Sequence, residues 1–207
     1  VLHSRDLSHT AGLAEELRKQ GVTVLSVAAD LGDPSQIDAM LDRVQAAGQM
    51  DIVYNNAGIQ VPKQAALWQT SAADLRRSFE VNVISLIRIC DRLAPAMITA
   101  GWGRIVNLTS GIADQPEQSA YAVSKAAVDK YVRDFAPALA GSGVTMNLLD
   151  PGWLRTDLGG PNAPGDPASV LPGGLIPVLA EDGVSGRFYR AQDYAGLTIE
   201  GALRRVI

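Results

Sequence analysis

One cysteine, Cys90, and two histidines, His3 and His9, are all the soft metal ligands in 207 residues. A single thiol closes no intrachain disulfide, and three such groups fall short of a structural zinc site, so no metal is expected. Cys90 sits in the apolar run 83–93, where a buried thiol is the ordinary reading. Positive charge is not in surplus: 18 Lys and Arg stand against 22 Asp and Glu, a net charge of -4. That balance favours neither a phosphate backbone nor an anionic lipid surface, so nucleic acid and membrane are not expected partners. No stretch of 18 apolar residues occurs, nor a basic segment leading into an apolar one, and the expected localisation is cytoplasmic. Glycine and proline, 20 and 11 residues, are too few for a low-complexity chain.

What is present is a globular balance, 47% hydrophobic and 19% charged, in a length that suits one domain with a full core. Short β-branched runs alternate with longer segments of helical period, the pattern of an α/β domain built on a parallel sheet. Strands are predicted at 1–3, 22–27, 51–54, 104–108, 144–148 and 187–189. Ser8 or Thr10 can cap a helix that carries Leu13 and Leu17 and closes at Gly21. Asp33 followed by Pro34 opens a second, with Ile37, Met40, Leu41 and Val44 on its inner side. Ser71 opens a long helix carrying Leu75, Phe79, Asn82, Leu86, Ile89 and Leu93, and Ser119 opens another that runs to about Ala140. The stretch 157–177 holds ten Gly or Pro in 21 residues, cannot be one regular element, and reads as a flap or long loop.

In an open parallel sheet, ligands bind beyond the carboxyl ends of the strands, where strand order reverses. Each predicted strand ends in small or polar residues: Ser4-Arg5-Asp6, Ala29-Asp30-Leu31, Asn55-Asn56-Ala57-Gly58, Thr109-Ser110-Gly111 and Asp150-Pro151-Gly152. Small residues let a flat ligand lie against the backbone, and Ser, Asn and Asp can bond its hydroxyl or carbonyl groups.

Tyr121 and Lys125 stand four residues apart near the start of the helix after Ser110, which places both on one helical face. The chemistry this spacing serves is proton transfer. A free Tyr has a pKa near 10, so making it a base near pH 7 takes about 4 kcal/mol. One ammonium at about 4 Å supplies on the order of 4 kcal/mol at an effective dielectric near 20, before desolvation opposes it. Taken alone, a Tyr and a Lys at this spacing are more often two surface residues of a helix.

Five segments together change that reading. Asn55-Asn56-Ala57-Gly58, Glu80-Val81-Asn82-Val83, the segment 103–110 ending in Thr109-Ser110, Tyr121 with Lys125, and Asp150-Pro151-Gly152 followed by Leu154 and Thr156 resemble, in content and order, the short-chain dehydrogenase/reductase family. The resemblance runs from Val1 to about Arg190. It implies a Rossmann-like, doubly wound parallel sheet with helices on both faces in a single domain. It also implies transfer of a hydride between a nicotinamide dinucleotide and a carbonyl or secondary alcohol of a small molecule. Tyr121 would be the general acid/base, and Lys125 would lower its pKa and bond the nicotinamide ribose. Ser110 would hold the substrate oxygen. Asn82 would anchor a water in a proton relay, the alternative being a kinked point in a long helix. The adenine side of the cofactor would lie against Asp30, Leu31 and Asn56, and the nicotinamide amide against Leu154 and Thr156. The family often assembles through the helices that match 71–100 and 119–140, so a homodimer or homotetramer is expected.

The end of the first strand bears on cofactor choice, because an acidic residue there bonds a ribose 2′-hydroxyl whereas Arg accommodates a 2′-phosphate. Arg5 stands in that place with Ser4 before it and Asp6 after it, which predicts NADP(H), with NAD(H) as the alternative. Two departures from the family pattern are visible. The loop 112–118 is about two residues shorter than the common spacing between the matching Ser and Tyr. The glycine-rich turn that carries pyrophosphate in the family is nowhere in the sequence, so the chain reads as one lacking the family's first strand, turn and helix. The alternative reading is therefore a non-catalytic binding or scaffold protein of the same fold. A hydrolase built on Ser110 is disfavoured, because both histidines lie at the first strand and its following loop.

Overall fold

A computed structural model describes residues 1–66 and 68–206. Among the described residues, six strands, β1 (Leu2–Ser4), β2 (Ser26–Ala28), β3 (Ile52–Asn55), β4 (Gly103–Leu108), β5 (Val144–Asp150) and β6 (Phe188–Arg190), all pair in parallel. They form two groups: β1 bonds only β2, while β3, β4, β5 and β6 form one four-stranded sheet in that order. The helices are α1 (Ser8–Lys19), α2 (Pro34–Ala46), α3 (Ala72–Phe79), α4 (Ser85–Ala100), α5 (Ser119–Phe135), α6 (Ile176–Leu179) and α7 (Ile199–Leu203).

The two-residue alternation of β4 and β5 divides the core between their two faces. Ile105 of β4 and Met146 of β5 pack with Cys90 and Met97 of α4 and with Val128 and Val132 of α5. On the opposite face, Val106 and Leu149 pack with Ile176 of α6 and Ala202 of α7. Helices thus cover both faces, as the fold class predicts. A third cluster joins Val27 of β2 to Ile37, Met40, Leu41 and Val44 of α2, the residues read from the sequence as its inner side.

Helix starts follow local chemistry. Asp33 caps α2 by accepting from the Ser35 and Gln36 amides, with Pro34 in the first turn, and bonds from the Ser35 hydroxyl and the Gln36 carboxamide lead in pulling its carboxyl down to about 2. At α1 the expected Ser8 or Thr10 cap gives way to Asp6, whose carboxylate accepts from both the Ser8 amide and hydroxyl. A carboxylate two residues before a helix competes well for its free amides, which the serine then joins as a donor. Ser71 opens the next helical run as expected, but the run is not one regular helix. Between α3 and α4 lies a π-turn, Glu80–Ile84, in which the Ser85 amide reaches back to the Glu80 carbonyl. The Ser85 hydroxyl bonds the Val81 carbonyl. Such turns cluster at functional positions because the extra residue re-aims its side chain, and here that residue set includes Asn82.

The stretch 157–177 is a succession of short turns, among them Pro167–Val170 and Gly173–Leu175, before α6 begins. A bridge between Leu154 and Gly165 ties its start to the end of β5. Gly173 fits where nothing larger does: a Cβ there would stand 2.3 Å from the Ala191 carbonyl oxygen.

Candidate active site

The carboxyl ends of β3, β4 and β5 meet α5 around a cleft of about 680 Å³. Ser110, Tyr121, Lys125, Asn56, Leu154 and Thr156 all line it, so six of the residues singled out from the sequence converge. The segment 157–175 closes its far side through residues such as Leu158, Leu171 and Leu175. A second hollow of about 580 Å³ opens beside it and shares Ser110, Tyr121, Asp150 and Gly152 as walls. Arg5 and Asp30 do not line this cleft, and Leu31 faces a separate cavity between β1 and β3.

Tyr121 and Lys125 are both buried on the inner face of α5. Lys125 Nζ donates to the Leu108 carbonyl at 2.8 Å and lies 5.9 Å from the centre of the Tyr121 ring. Removal from water pulls the ammonium down to about 8, against the pull of Asp129. Burial likewise pushes the Tyr121 phenol up, with the Asp150 carboxylate adding to the rise and hydrogen bonding from Ser110 opposing it. Lost solvent thus sets the direction at both groups, and the ammonium behind the ring is hydrogen-bonded to the Leu108 carbonyl.

Asn82 sits below the cleft rather than in its wall. Its Oδ1 accepts from the Ile59 amide at 2.8 Å, and its Nδ2 donates to the Ile59 carbonyl and the Ser124 hydroxyl, each at 2.9 Å. Both amide hydrogens are used, so the side chain clamps the strand end 55–59 onto α5. For an anchored water it has only the second lone pair of Oδ1 and its main chain to offer. Gly58 lies over this clamp, where a Cβ would come within 3.2 Å of Asn82 Oδ1 and 3.6 Å of Lys125 Nζ. Asn55, next to the exposed Asn56, is buried and bonds Asn107 at 2.8 Å across the sheet, a structural role.

Two carboxylates had no role assigned from the sequence. Asp150 accepts from the Gly111 amide at 3.1 Å and the Gly152 amide at 3.0 Å, joining the ends of β4 and β5. Gly111 must be small, because a Cβ there would stand 2.6 Å from the Asp150 carboxylate. Asp129 accepts from the buried Thr109 hydroxyl at 2.5 Å, and burial raises its pKa. The spacing of Lys125 and Asp129 was a readable signal, since i and i+4 share a helical face. The Asp150 staple was not readable, because it joins positions 39 residues apart.

On the two-stranded side, Arg5 is exposed, and its neighbours are occupied with local bonds. The Ser4 hydroxyl donates to the Asp6 carbonyl at 2.6 Å, and Asp6 caps α1. Asp30 accepts from the Gly32 amide at 2.8 Å and pairs with Arg77 at 3.2 Å, and the Gly32 bond leads in holding its carboxyl below the usual range.

The model of the short chain dehydrogenase family matches residues 1–166, most of the chain and all of these strand ends up to β5. The chain belongs to the short-chain dehydrogenase family. Among its relatives, a short-chain type dehydrogenase/reductase of Picea abies is 36% identical over 141 residues, 67% of this chain and 52% of that protein. An NADPH-dependent aldehyde reductase-like chloroplastic protein of Arabidopsis thaliana is 34% identical over 148 residues, 70% of this chain and 55% of that protein. The chain thus spans about half the length of these two relatives. Among solved structures, a putative NAD(P)-dependent gluconate 5-dehydrogenase from Beutenbergia cavernae with bound NADP superposes with a TM-score of 0.79 at 25% identity. That superposition covers 93% of this chain and 84% of the other. As a member of an oxidoreductase family, the chain places Tyr121, Lys125 and Ser110 in one cleft at the strand ends, where an open α/β sheet takes its ligand.

Proposed function

We propose that this short-chain dehydrogenase family member reduces a carbonyl compound with NADP(H), using Tyr121 as the proton donor. The observation that carries the reading is the buried phenol of Tyr121 beside the Ser110 hydroxyl, with Lys125 behind it on the same helix. The cleft fits a flat cofactor ring and its ribose. Glycine at positions 58 and 152 leaves the floor open, and Lys125 keeps two N–H groups beyond the one spent on Leu108. Tyr121, Lys125, Leu154 and Thr156 would hold the nicotinamide side, and Arg5, Asp30, Leu31 and Asn56 the adenine side. A bound reduced nicotinamide supplies the hydride. Ser110 orients the substrate carbonyl oxygen by donating to it. Tyr121 gives that oxygen its phenolic proton, and the nearby ammonium of Lys125 stabilises the phenolate left behind. The 157–177 segment acts as the flap that excludes water over the cleft.

NADP(H) is favoured over NAD(H) because Arg5 is the uncommitted charge at its strand end. Asp6 spends its carboxylate on the start of α1, so it is a poor partner for a ribose hydroxyl. The exposed Ile84 of the π-turn between α3 and α4, with Val123 and Phe135 of α5, supports assembly of two or four copies through these helices. NADPH oxidation followed with a panel of aldehydes and ketones tests the reaction: turnover with a preference for NADPH is expected, and no turnover by protein that binds NADPH rejects it.

One observation favours a second reading. Among the described residues, the pair β1–β2 shares no strand hydrogen bond with the four-stranded sheet, and a cavity lined by Val1, His3, Ile52 and Tyr54 lies between them. Arg5, Asp30 and Leu31 therefore stand on a pair of strands bonded separately from those that carry Asn56, Ser110, Leu154 and Thr156, which suits a binding module that holds no dinucleotide. Nicotinamide fluorescence distinguishes the two: enhancement on adding the protein supports the reductase, and its absence supports the module.

A further inference from the structure

We propose that the hollow beside Ser110 and Tyr121 takes a neutral, polyhydroxylated ketone, with hydroxyls along one edge and C–H bonds on its faces. This deepens the reductase reading above and rests on it. Three glutamines form one wall. Gln60 Nε2 donates to Gln118 Oε1, and Gln118 Nε2 donates to Gln115 Oε1, so the amides run head to tail. A carboxamide carries two donors and two acceptor lone pairs. The run uses only part of that capacity, leaving the Gln60 oxygen, the Gln115 nitrogen and one N–H on each of Gln60 and Gln118 for a ligand. Neighbouring hydroxyls both donate and accept, so they match a wall that offers both. A hydrocarbon pressed there would strip these groups of water and return no bonds, which disfavours it strongly.

The facing wall is apolar and contains Trp153, Ile112 and Leu158. Trp153 Nε1 donates to the Gly159 carbonyl at 2.8 Å, which holds the indole by its edge while 60% of the residue stays exposed. An aromatic face held in this way suits the C–H face of a saturated ring. Charge decides against an acid. The charged side chains in the lining are Lys63, which pairs with Glu117 at 3.5 Å, and Asp150, which is spent on the Gly111 and Gly152 amides. Glu117 offsets the charge of Lys63 and Asp150 repels an anion, so the lining gives a carboxylate or phosphate no net attraction.

The step balances as a two-electron reduction. Hydride from NADPH forms the new C–H bond at the carbonyl carbon as the C=O π bond breaks. The Tyr121 proton goes to the oxygen, NADP⁺ is released, and solvent reprotonates the phenolate.

Two ring pairs differing only in hydroxyls test the inference. Saturation-transfer NMR on the whole protein, without cofactor, compares myo-inositol with cyclohexanol. NADPH oxidation compares 2-keto-myo-inositol with cyclohexanone. The expected result is saturation of myo-inositol alone, and a kcat/KM ratio of about a hundredfold for the hydroxylated ketone, in line with two or three hydrogen bonds. In the double variant Gln60→Leu with Gln118→Leu, the inositol signal is lost and the ratio falls at least about tenfold. Equal or better binding of cyclohexanol, or an unchanged ratio in that variant, overturns the substrate class and leaves the reductase standing. Preference for 5-keto-D-gluconate over 2-keto-myo-inositol overturns neutrality. Glutamine-dependent binding of myo-inositol without oxidation of NADPH by either ketone supports the polyhydroxyl site and overturns the reductase.

Discussion

The two groups of strands are held differently. In the four-stranded sheet, β4 and β5 have partners on both sides and helices on both faces, and Ile105 and Val106 are almost fully buried. In the two-stranded group each strand has one partner, and β1 is only half-buried along its length. Ser110, Tyr121, Lys125 and Asp150 belong to the first region, while Arg5 and Asp30 belong to the second. The groups proposed to meet the reacting atoms stand on the better-packed side, and those proposed to choose between cofactors on the more exposed one.

Substitutions in the two regions should therefore separate. Tyr121→Phe is expected to cost about a thousandfold in kcat for carbonyl reduction, because it removes the proposed proton donor alone. Its melting temperature should stay near that of the parent, and a large drop in thermal denaturation would mean that the hydroxyl is structural. Ile105→Ala in β4 should cost about 2–5 kcal/mol in urea unfolding, against about 1 kcal/mol for Leu2→Ala in β1. Equal costs would break the contrast between the two groups.

Lys125→Met sharpens the same comparison through pH. The buried ammonium titrates at about 8 in the folded protein, below its ordinary 10.5. Between those values the unfolded chain binds more protons, so this group makes the protein more stable as pH rises from about 8 to 10.5. The parent should show that upward slope in denaturation experiments, and Lys125→Met should lack it while losing activity. Arg5→Ala carries the smallest effect, a fall of about tenfold in the NADPH to NADH ratio of kcat/KM without a change in stability. An unaltered ratio would remove Arg5 from the cofactor site.

Local signals were legible where the cause was local. Asp33 with Pro34 opens α2, and the inner residues of α2 follow helical spacing, because capping and periodicity act within a few positions. Boundaries shifted where neighbours compete, as when Asp6 rather than Ser8 or Thr10 capped α1. The break at Glu80–Ile84 contains Asn82, for which the sequence left open a kinked point in a long helix, but the apolar spacing did not show that the break is a π-turn. The family resemblance brings 60–64 and 115–118 to one substrate wall, but the bonds from Gln60 to Gln118 and from Gln118 to Gln115 were hidden, because no spacing rule links a loop after β3 to the loop before α5.

By itself, the sequence determined the α/β class, the family, and which strand ends carry polar and glycine-containing turns, because periodicity and turn chemistry are written residue by residue. The tertiary structure alone decided the solvent exposure and the hydrogen-bond partners of the site. Burial raises Tyr121 and lowers Lys125, Leu108 takes the ammonium, Asn82 is spent on Ile59, and Asp150 staples two strand ends. Desolvation and long-range hydrogen bonds depend on what surrounds a group in space, and distant segments come together only when the chain has folded.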